Sequence, residues 1–225
     1  MKNIIVTGTG RGIGYALALQ FANAGHQILA ISRQIPKALA EHSNVTCLSV
    51  DLTLESEMDQ VSEFLSTSWE KIDAIVHNAG AFLNKPFSET TTADFESIYK
   101  VNVFAVAALT RIALPYLKFG SHVVTISSMG GIQGSSKFAG LAAYSSSKGA
   151  VITLSELLGE EYRERGIAFN VLALGSVQTE MLAAAFPGLK APLSAEEMAT
   201  YIFDFTLTGN KYYNGKVLSV SSTTP

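Results

Sequence analysis

Near its start the chain reads Asn3-Ile4-Ile5-Val6-Thr7-Gly8-Thr9-Gly10-Arg11-Gly12-Ile13-Gly14. The β-branched apolar run Asn3–Thr7 predicts a short strand. The glycines that follow allow a tight turn and let another group come close to the backbone. From Ile13 to Ala24 the pattern predicts a helix, with Gly25 as its natural stop. Strand, glycine turn and helix in this order aim backbone amides at whatever sits on the turn, a place suited to a phosphate. The spacing is Gly-x3-Gly-x-Gly rather than the strict Gly-x-Gly-x-x-Gly, so the turn alone is a weak signal and its context carries the weight.

Working outward, strand-like and helix-like stretches alternate to the end of the chain. Strands are expected at Gln27–Ile31, Val45–Val50, Asp73–Val76, His122–Ser127, Ile167–Ala173 and Lys216–Val220. Helices are expected at Glu55–Trp69, Ala93–Leu117, Ala143–Arg165 and Ala195–Thr208. The strands are apolar without alternation, as in a parallel sheet buried on both faces. The fold class is therefore α/β, a doubly wound, Rossmann-type parallel sheet of about seven strands with helices on both faces. There is no internal repeat or linker, so residues 1–225 are expected to form one dinucleotide-binding domain.

The composition sets limits. In 225 residues, 48% are hydrophobic and 16% charged, which excludes a disordered chain. A net charge of −3 gives no support to a nucleic-acid partner. Cys47 is the one cysteine, so there is no disulfide framework. The longest apolar run, Val103 to Leu109, is far short of the roughly 20 residues a membrane helix needs. No signal-peptide core precedes Thr7, and a cytoplasmic protein without a membrane or nucleic-acid partner is expected.

In an open α/β sheet the loops after the strand C-termini build the ligand crevice. The first of them is the glycine turn, so a dinucleotide is expected there. An NAD site usually carries an acidic residue about 20 residues on, for the ribose 2′-hydroxyl. Here the second strand ends Ala30-Ile31-Ser32-Arg33 with no carboxylate. Arg33 suits a 2′-phosphate, and Arg11 within the turn could add a second cation. NADP(H) is therefore expected over NAD(H). The missing acid also argues against an S-adenosylmethionine-dependent methyltransferase.

Tyr144 and Lys148 are four residues apart at the start of a helix, on one face. A nearby ammonium should lower the tyrosine's pKa from about 10 and make the pair a proton-transfer unit. Ser127-Ser128 follows the fifth strand, and His77-Asn78-Ala79-Gly80 follows the fourth. Asn102 is a polar residue amid Val101, Val103 and Phe104 in an expected helix.

With these residues the chain resembles the short-chain dehydrogenase/reductase family over nearly its whole length. The resemblance rests on Thr7-Gly8-x3-Gly12-Ile13-Gly14, Asp51-Leu52, Asn78-Ala79-Gly80, Asn102, Ser128 and Tyr144-x3-Lys148, in the family's order. It implies that Tyr144 is the general acid in carbonyl reduction and the base in alcohol oxidation. Lys148 would hold the nicotinamide ribose and depress the tyrosine pKa. Ser128, rather than Ser127, would bond the substrate oxygen. Asn102 would help hold a water in a proton relay. The cofactor would touch Gly8, Arg11, Gly12, Ile13, Gly14, Ser32, Arg33, Asp51, Leu52, Asn78, Ala79, Gly80, Tyr144, Lys148, Gly175, Val177 and Thr179. A homodimer or homotetramer is also implied.

There are departures. Leu174-Gly175 stands where the family has Pro-Gly, and the C-terminus reads Val217-Leu218-Ser219-Val220-Ser221-Ser222 without Asp-Gly-Gly. Residues 175–194 are expected to form a substrate loop or lid. Phe82, Met129, Ile132, Phe138, Val177, Met181, Leu182 and Phe186 are candidate pocket residues, largely apolar as in most ligand pockets. The substrate expected is a ketone or secondary alcohol on a mostly apolar small molecule. A 3-oxoacyl-thioester or pterin-like carbonyl is the alternative, and a non-catalytic cofactor sensor a further one. His26, His42, His77 and His122 lack metal-ligand spacing, so no metal is expected. His77 reads as a structural hydrogen-bonder, Cys47 as an inert core thiol.

Overall fold

The computed structural model describes residues 1–221. Ser222, the last residue of the quoted C-terminal stretch, lies outside them. The elements run β1 (Asn3–Thr7), α1 (Gly12–Asn23), β2 (Gln27–Ser32), α2 (Lys37–Ala40), β3 (Val45–Ser49), α3 (Glu55–Ser68) and β4 (Ile72–His77). They continue with α4 (Thr92–Tyr99), α5 (Ala105–Ala113), β5 (Leu117–Ser128), α6 (Ala142–Glu161) and β6 (Ala168–Leu174). The chain then forms β7 (Val177–Gln178), α7 (Glu180–Ala185), β8 (Leu193–Ser194), α8 (Ala195–Thr208) and β9 (Lys216–Val220).

Seven strands pair in parallel in the order β3-β2-β1-β4-β5-β6-β9. The order reverses between β1 and β4, and the crevice opens outside their C-termini. Successive strand residues feed opposite layers. Ile4 and Val6 join Leu17, Phe21, Ala199 and Ile202 of α1 and α8. Ile5 and Ile75 join Val61 and Leu65 of α3 and Leu109 of α5. The strands lack alternation because both faces are covered. Among the described residues no helix is long and apolar enough to cross a membrane.

The expected helix Ala93–Leu117 is interrupted. Between α4 and α5 the backbone makes a π turn over Lys100–Phe104. Pro115 follows α5, and a proline cannot continue the amide ladder. Leu117 already belongs to β5, five residues before the expected strand start. There the register shifts between Ile72 and Ala74. Ser121 fills the irregularity, its hydroxyl accepting from the Lys118 amide at 3.0 Å and donating to the Ile72 carbonyl at 2.6 Å. The expected helix Ala143–Arg165 ends earlier, at Glu161. A 3-10 turn, Arg163–Arg165, leads into Gly166 at φ 66°.

Two local expectations are refined. Cys47 is half-buried on the edge strand β3, not a core thiol, because among the described residues no strand pairs beyond β3. The loop after β6 contains structure of its own, the β7–β8 pair and the short helix α7.

Candidate active site

The glycine turn closes on the loop after β4. Asn78 Nδ2 donates to the carbonyls of Thr7 and Gly8, at 3.0 and 3.3 Å. The Thr7 hydroxyl accepts from the amides of Asn78 and Ala79, at 3.1 and 3.0 Å. Gly8 and Gly12 have φ of 73° and 58°. A Cβ on Gly14 would run into Asn78 Nδ2 and the Gly8 carbonyl. The motif is thus a backbone requirement, with the turn held against Asn78 and Ala79. Helix α1 has no side-chain cap and no acidic residue in its first turn. Its leading amides are left for an anion. The glycine backbone of this cradle fits the pyrophosphate of a dinucleotide.

Around this cradle the other expected residues divide. Arg11 is exposed and lines a groove with Gly10, Gly12, Tyr15, Thr179 and Glu180. The Glu180 carboxylate lies 3.5 Å from where a Gly12 Cβ would sit. Ile13 is partly buried, its side chain packed against the α1–α8 core. Thr179 borders Gly12, while its hydroxyl accepts from the Leu182 amide at 3.2 Å and caps α7. Val177 is buried and pairs with Leu193. A Cβ on Gly175 would strike Ser221, so the glycine after Leu174 is required by close packing.

Arg33 is exposed at the end of β2 and shares a cleft of about 430 Å³ with Ser49, Asp51, Glu57 and Gln60. The Ser32 hydroxyl is already engaged, donating to the Gln34 carbonyl at 2.5 Å. Asp51 Oδ1 accepts from the Thr53 amide at 2.9 Å, which with the nearby Arg33 charge holds the carboxyl below its ordinary range. Leu52 packs against the α3–α5 core.

Across the cradle, β5 and α6 bring Ser128, Tyr144 and Lys148 together. The Ser128 hydroxyl accepts from the Gly130 amide at 3.3 Å and stands close enough to Tyr144 to favour its ionised form. Lys148 Nζ lies 5.9 Å from the Tyr144 ring centre and donates to the Ile126 carbonyl at 2.9 Å. Ser127 is turned the other way, donating to the Lys148 carbonyl at 2.9 Å. The residue four along from the tyrosine is thus pinned to β5 by both its main chain and its side chain.

Burial sets the protonation states here. It pushes Tyr144 up to about 12, the neighbouring Ser128 hydroxyl opposing it in part. It pushes Lys148 down to about 8. The expected lowering of the tyrosine pKa by the ammonium is overturned in the unliganded chain. Desolvation outweighs a cation whose hydrogen bond is directed at a carbonyl of β5.

Asn102 sits on the π turn with 1% of its surface exposed. Its Oδ1 accepts from the Ala81 amide at 2.8 Å, and its Nδ2 donates to the Ala81 carbonyl at 3.0 Å and to Ser147 Oγ at 2.9 Å. Ser147 in turn donates to the Tyr144 carbonyl at 2.7 Å. The chain from Ala81 through Asn102 and Ser147 to the Tyr144 backbone is a positioning device. Ser147 escaped the sequence reading because a serine one residue before Lys148 carries no spacing signal. Gly80 joins the two halves, with Asn102 Oδ1 and Lys148 Nζ each 3.6 Å from where its Cβ would stand. His77 bonds Thr110 at 2.9 Å and has a structural role, as expected.

The short chain dehydrogenase family model matches residues 2–190. The 7alpha-hydroxysteroid dehydrogenase of Escherichia coli (strain K12) is 30% identical over 190 residues, which span 80% of this chain and 73% of that protein. ElxO with NADP bound superposes with a TM-score of 0.84 at 26% identity, covering 98% of this chain and 97% of ElxO. 4-Hydroxyisoleucine dehydrogenase complexed with NADH superposes with a TM-score of 0.87 at 19% identity, a likeness of fold, covering 98% of this chain and 97% of that one.

Proposed function

We propose, on the premise that this chain belongs to the short-chain dehydrogenase family, that it moves a hydride between NADP(H) and a ketone–secondary alcohol pair. The observation that carries the reading is Lys148 Nζ 5.9 Å from the centre of the Tyr144 ring and 3.6 Å from where a Gly80 Cβ would stand, with Ser128 beside the tyrosine. Backbone amides at the start of α1 would hold the pyrophosphate, and Asn78, Ala79 and Gly80 would line the cofactor's path. When bound, the nicotinamide supplies or accepts the hydride. Ser128 orients the substrate oxygen toward Tyr144 Oη. Tyr144 donates its proton to that oxygen in reduction and takes it back in oxidation. A tyrosine pKa of about 12 keeps the hydroxyl protonated at neutral pH, the form that reduction needs. Lys148, four residues along α6, would bond the nicotinamide ribose. Residues 175–194 act as the substrate lid. We read the protein as cytoplasmic, and as a homodimer or homotetramer, the assembly being supported by Phe104 of the π turn and Leu157 of α6, 58% and 62% exposed.

NADP(H) is favoured because Arg33 is exposed at the ribose end and β2 ends without an acid. NAD(H) is the second reading, favoured by the carboxylates of Asp51 and Glu57 in the same cleft. Fluorescence titration with NADPH and NADH separates them. Arg33→Ala should weaken NADPH by about tenfold, the lower end for a charged hydrogen bond because the arginine is exposed, and leave NADH unchanged. Equal losses for both nucleotides would refute the 2′-phosphate role.

A further inference from the structure

Phe82, on the loop after β4, lies over Tyr144 with ring centres 4.8 Å apart and planes tilted by 56°. Phe186, which follows α7, meets Phe82 edge-on at 5.9 Å and 70°. Both phenylalanines are only partly buried. The two are held differently. Phe82 is tied to the body, since the preceding residue Ala81 exchanges two hydrogen bonds with Asn102 and the nearby Lys85 amide bonds the Gly140 carbonyl at 2.9 Å. Phe186 rides at the end of the six-residue α7, where Asn84 Nδ2 reaches the Ala185 carbonyl at 3.5 Å.

Three of the four lysines around these rings have their ammonium groups engaged within the chain. Lys85 pairs with Asp94 at 2.8 Å. Lys137 donates to the carbonyls of Gly130 and Ile132 at 2.8 and 2.6 Å, and to the Ser135 hydroxyl at 2.8 Å, folding the loop after Ser128 on itself. Lys148 is bonded to β5, and Lys190 stands in solvent. An anionic substrate seated against the rings would lose water and gain only the solvent-screened Lys190 in exchange.

We propose that Phe82 and Phe186 are the fixed and moving jaws of an aromatic clamp that seats an uncharged, ring-bearing ketone against Tyr144 and Ser128. The inference rests on the oxidoreductase reading above and names its substrate class. Rings whose centres are 5.9 Å apart leave no room for a third between them. A substrate ring therefore displaces Phe186 together with α7 and exchanges one ring contact for two, each within the 4.5–7 Å spacing at which aromatic pairs attract. Closing the lid and recognising the ring are then one event.

The test uses the full chain with saturating NADPH and three matched ketones: an aryl methyl ketone, its cyclohexyl counterpart and its para-carboxylate counterpart. The aryl ketone should show kcat/KM about fivefold above the cyclohexyl compound, with the carboxylate the poorest. Phe186→Leu should raise KM for the aryl ketone about fivefold with kcat little changed, and Phe186→Tyr should restore it. A carboxylate turned over as well as the neutral ketone, or a KM indifferent to Phe186→Leu, overturns the clamp. So does failure to turn over any of the three while NADPH binds. Failure to bind either nucleotide overturns the enzymatic reading itself.

Discussion

Lys148→Met should make the unliganded protein more stable while abolishing turnover. Lys148 is 5% exposed, and burial pushes its pKa from 10.5 down to about 8. That difference of about 2.5 units is a penalty of roughly 3 kcal/mol on carrying the ammonium inside the folded chain. Methionine matches the stem, bends to fill the space and carries no charge. The substitution loses the hydrogen bond to the Ile126 carbonyl, worth about 1 kcal/mol. The net gain is then about 2 kcal/mol at pH 7, or a Tm higher by roughly 4–8 °C for a chain of this size. The sign has a pH signature. Below pH 8 both folded and unfolded wild-type chains are protonated at Lys148, and the penalty is full. Between pH 8 and 10.5 the folded chain has released the proton and the unfolded chain has not, so wild-type stability rises. The methionine variant's advantage should shrink through that window and vanish by its upper end. Urea unfolding of both proteins at pH 7 and at pH 10 measures it, with NADPH-dependent ketone reduction as the activity readout. A variant less stable than wild type at pH 7, or an advantage that does not change with pH, would refute the argument.

Two further outcomes follow from the same geometry. Asn102→Ala removes three hydrogen bonds from a buried amide, and urea unfolding should show a loss of about 2–3 kcal/mol, with kcat reduced because the Ala81 loop and the Tyr144 backbone lose their tie; a loss under about 0.5 kcal/mol would contradict the positioning role. His77 and His122 are buried with pKa values pushed down to about 4 from 6.5, so their neutral forms stabilise the fold fully above pH 6.5 and that contribution is lost as pH falls toward 4, up to about 3 kcal/mol each. The urea midpoint should drop across that window, less so in His77→Gln, and an unchanged slope in the variant would count against the account.

Most of the sheet could be read from the sequence because each strand is a short apolar run between turn residues, and both faces of the sheet demand that pattern. The cradle was legible for a related reason. Gly8 and Gly12 must turn with positive φ, and Gly14 must let Asn78 and the Gly8 carbonyl approach. Tyr144 and Lys148 share a helix face by spacing alone. What escaped lacks a period. The π turn at Lys100–Phe104 shifts Asn102 inward by local winding, which apolar periodicity does not register. Helix α7 is six residues long, too short to show one. The early start of β5 depends on Ser121 repairing a register shift across strands. The tyrosine pKa ran opposite to expectation because sequence shows which charge is near but not how deeply the group is buried, and here burial is the larger effect.

The most direct measurement compares wild type with Tyr144→Phe, following NADPH oxidation with a neutral ketone and NADPH binding by fluorescence in parallel. Tyr144→Phe should bind NADPH as tightly as wild type and consume it at least about a hundredfold more slowly, the low end for a lost general acid. Near-normal turnover by Tyr144→Phe would contradict the assignment of the proton donor at the centre of the site.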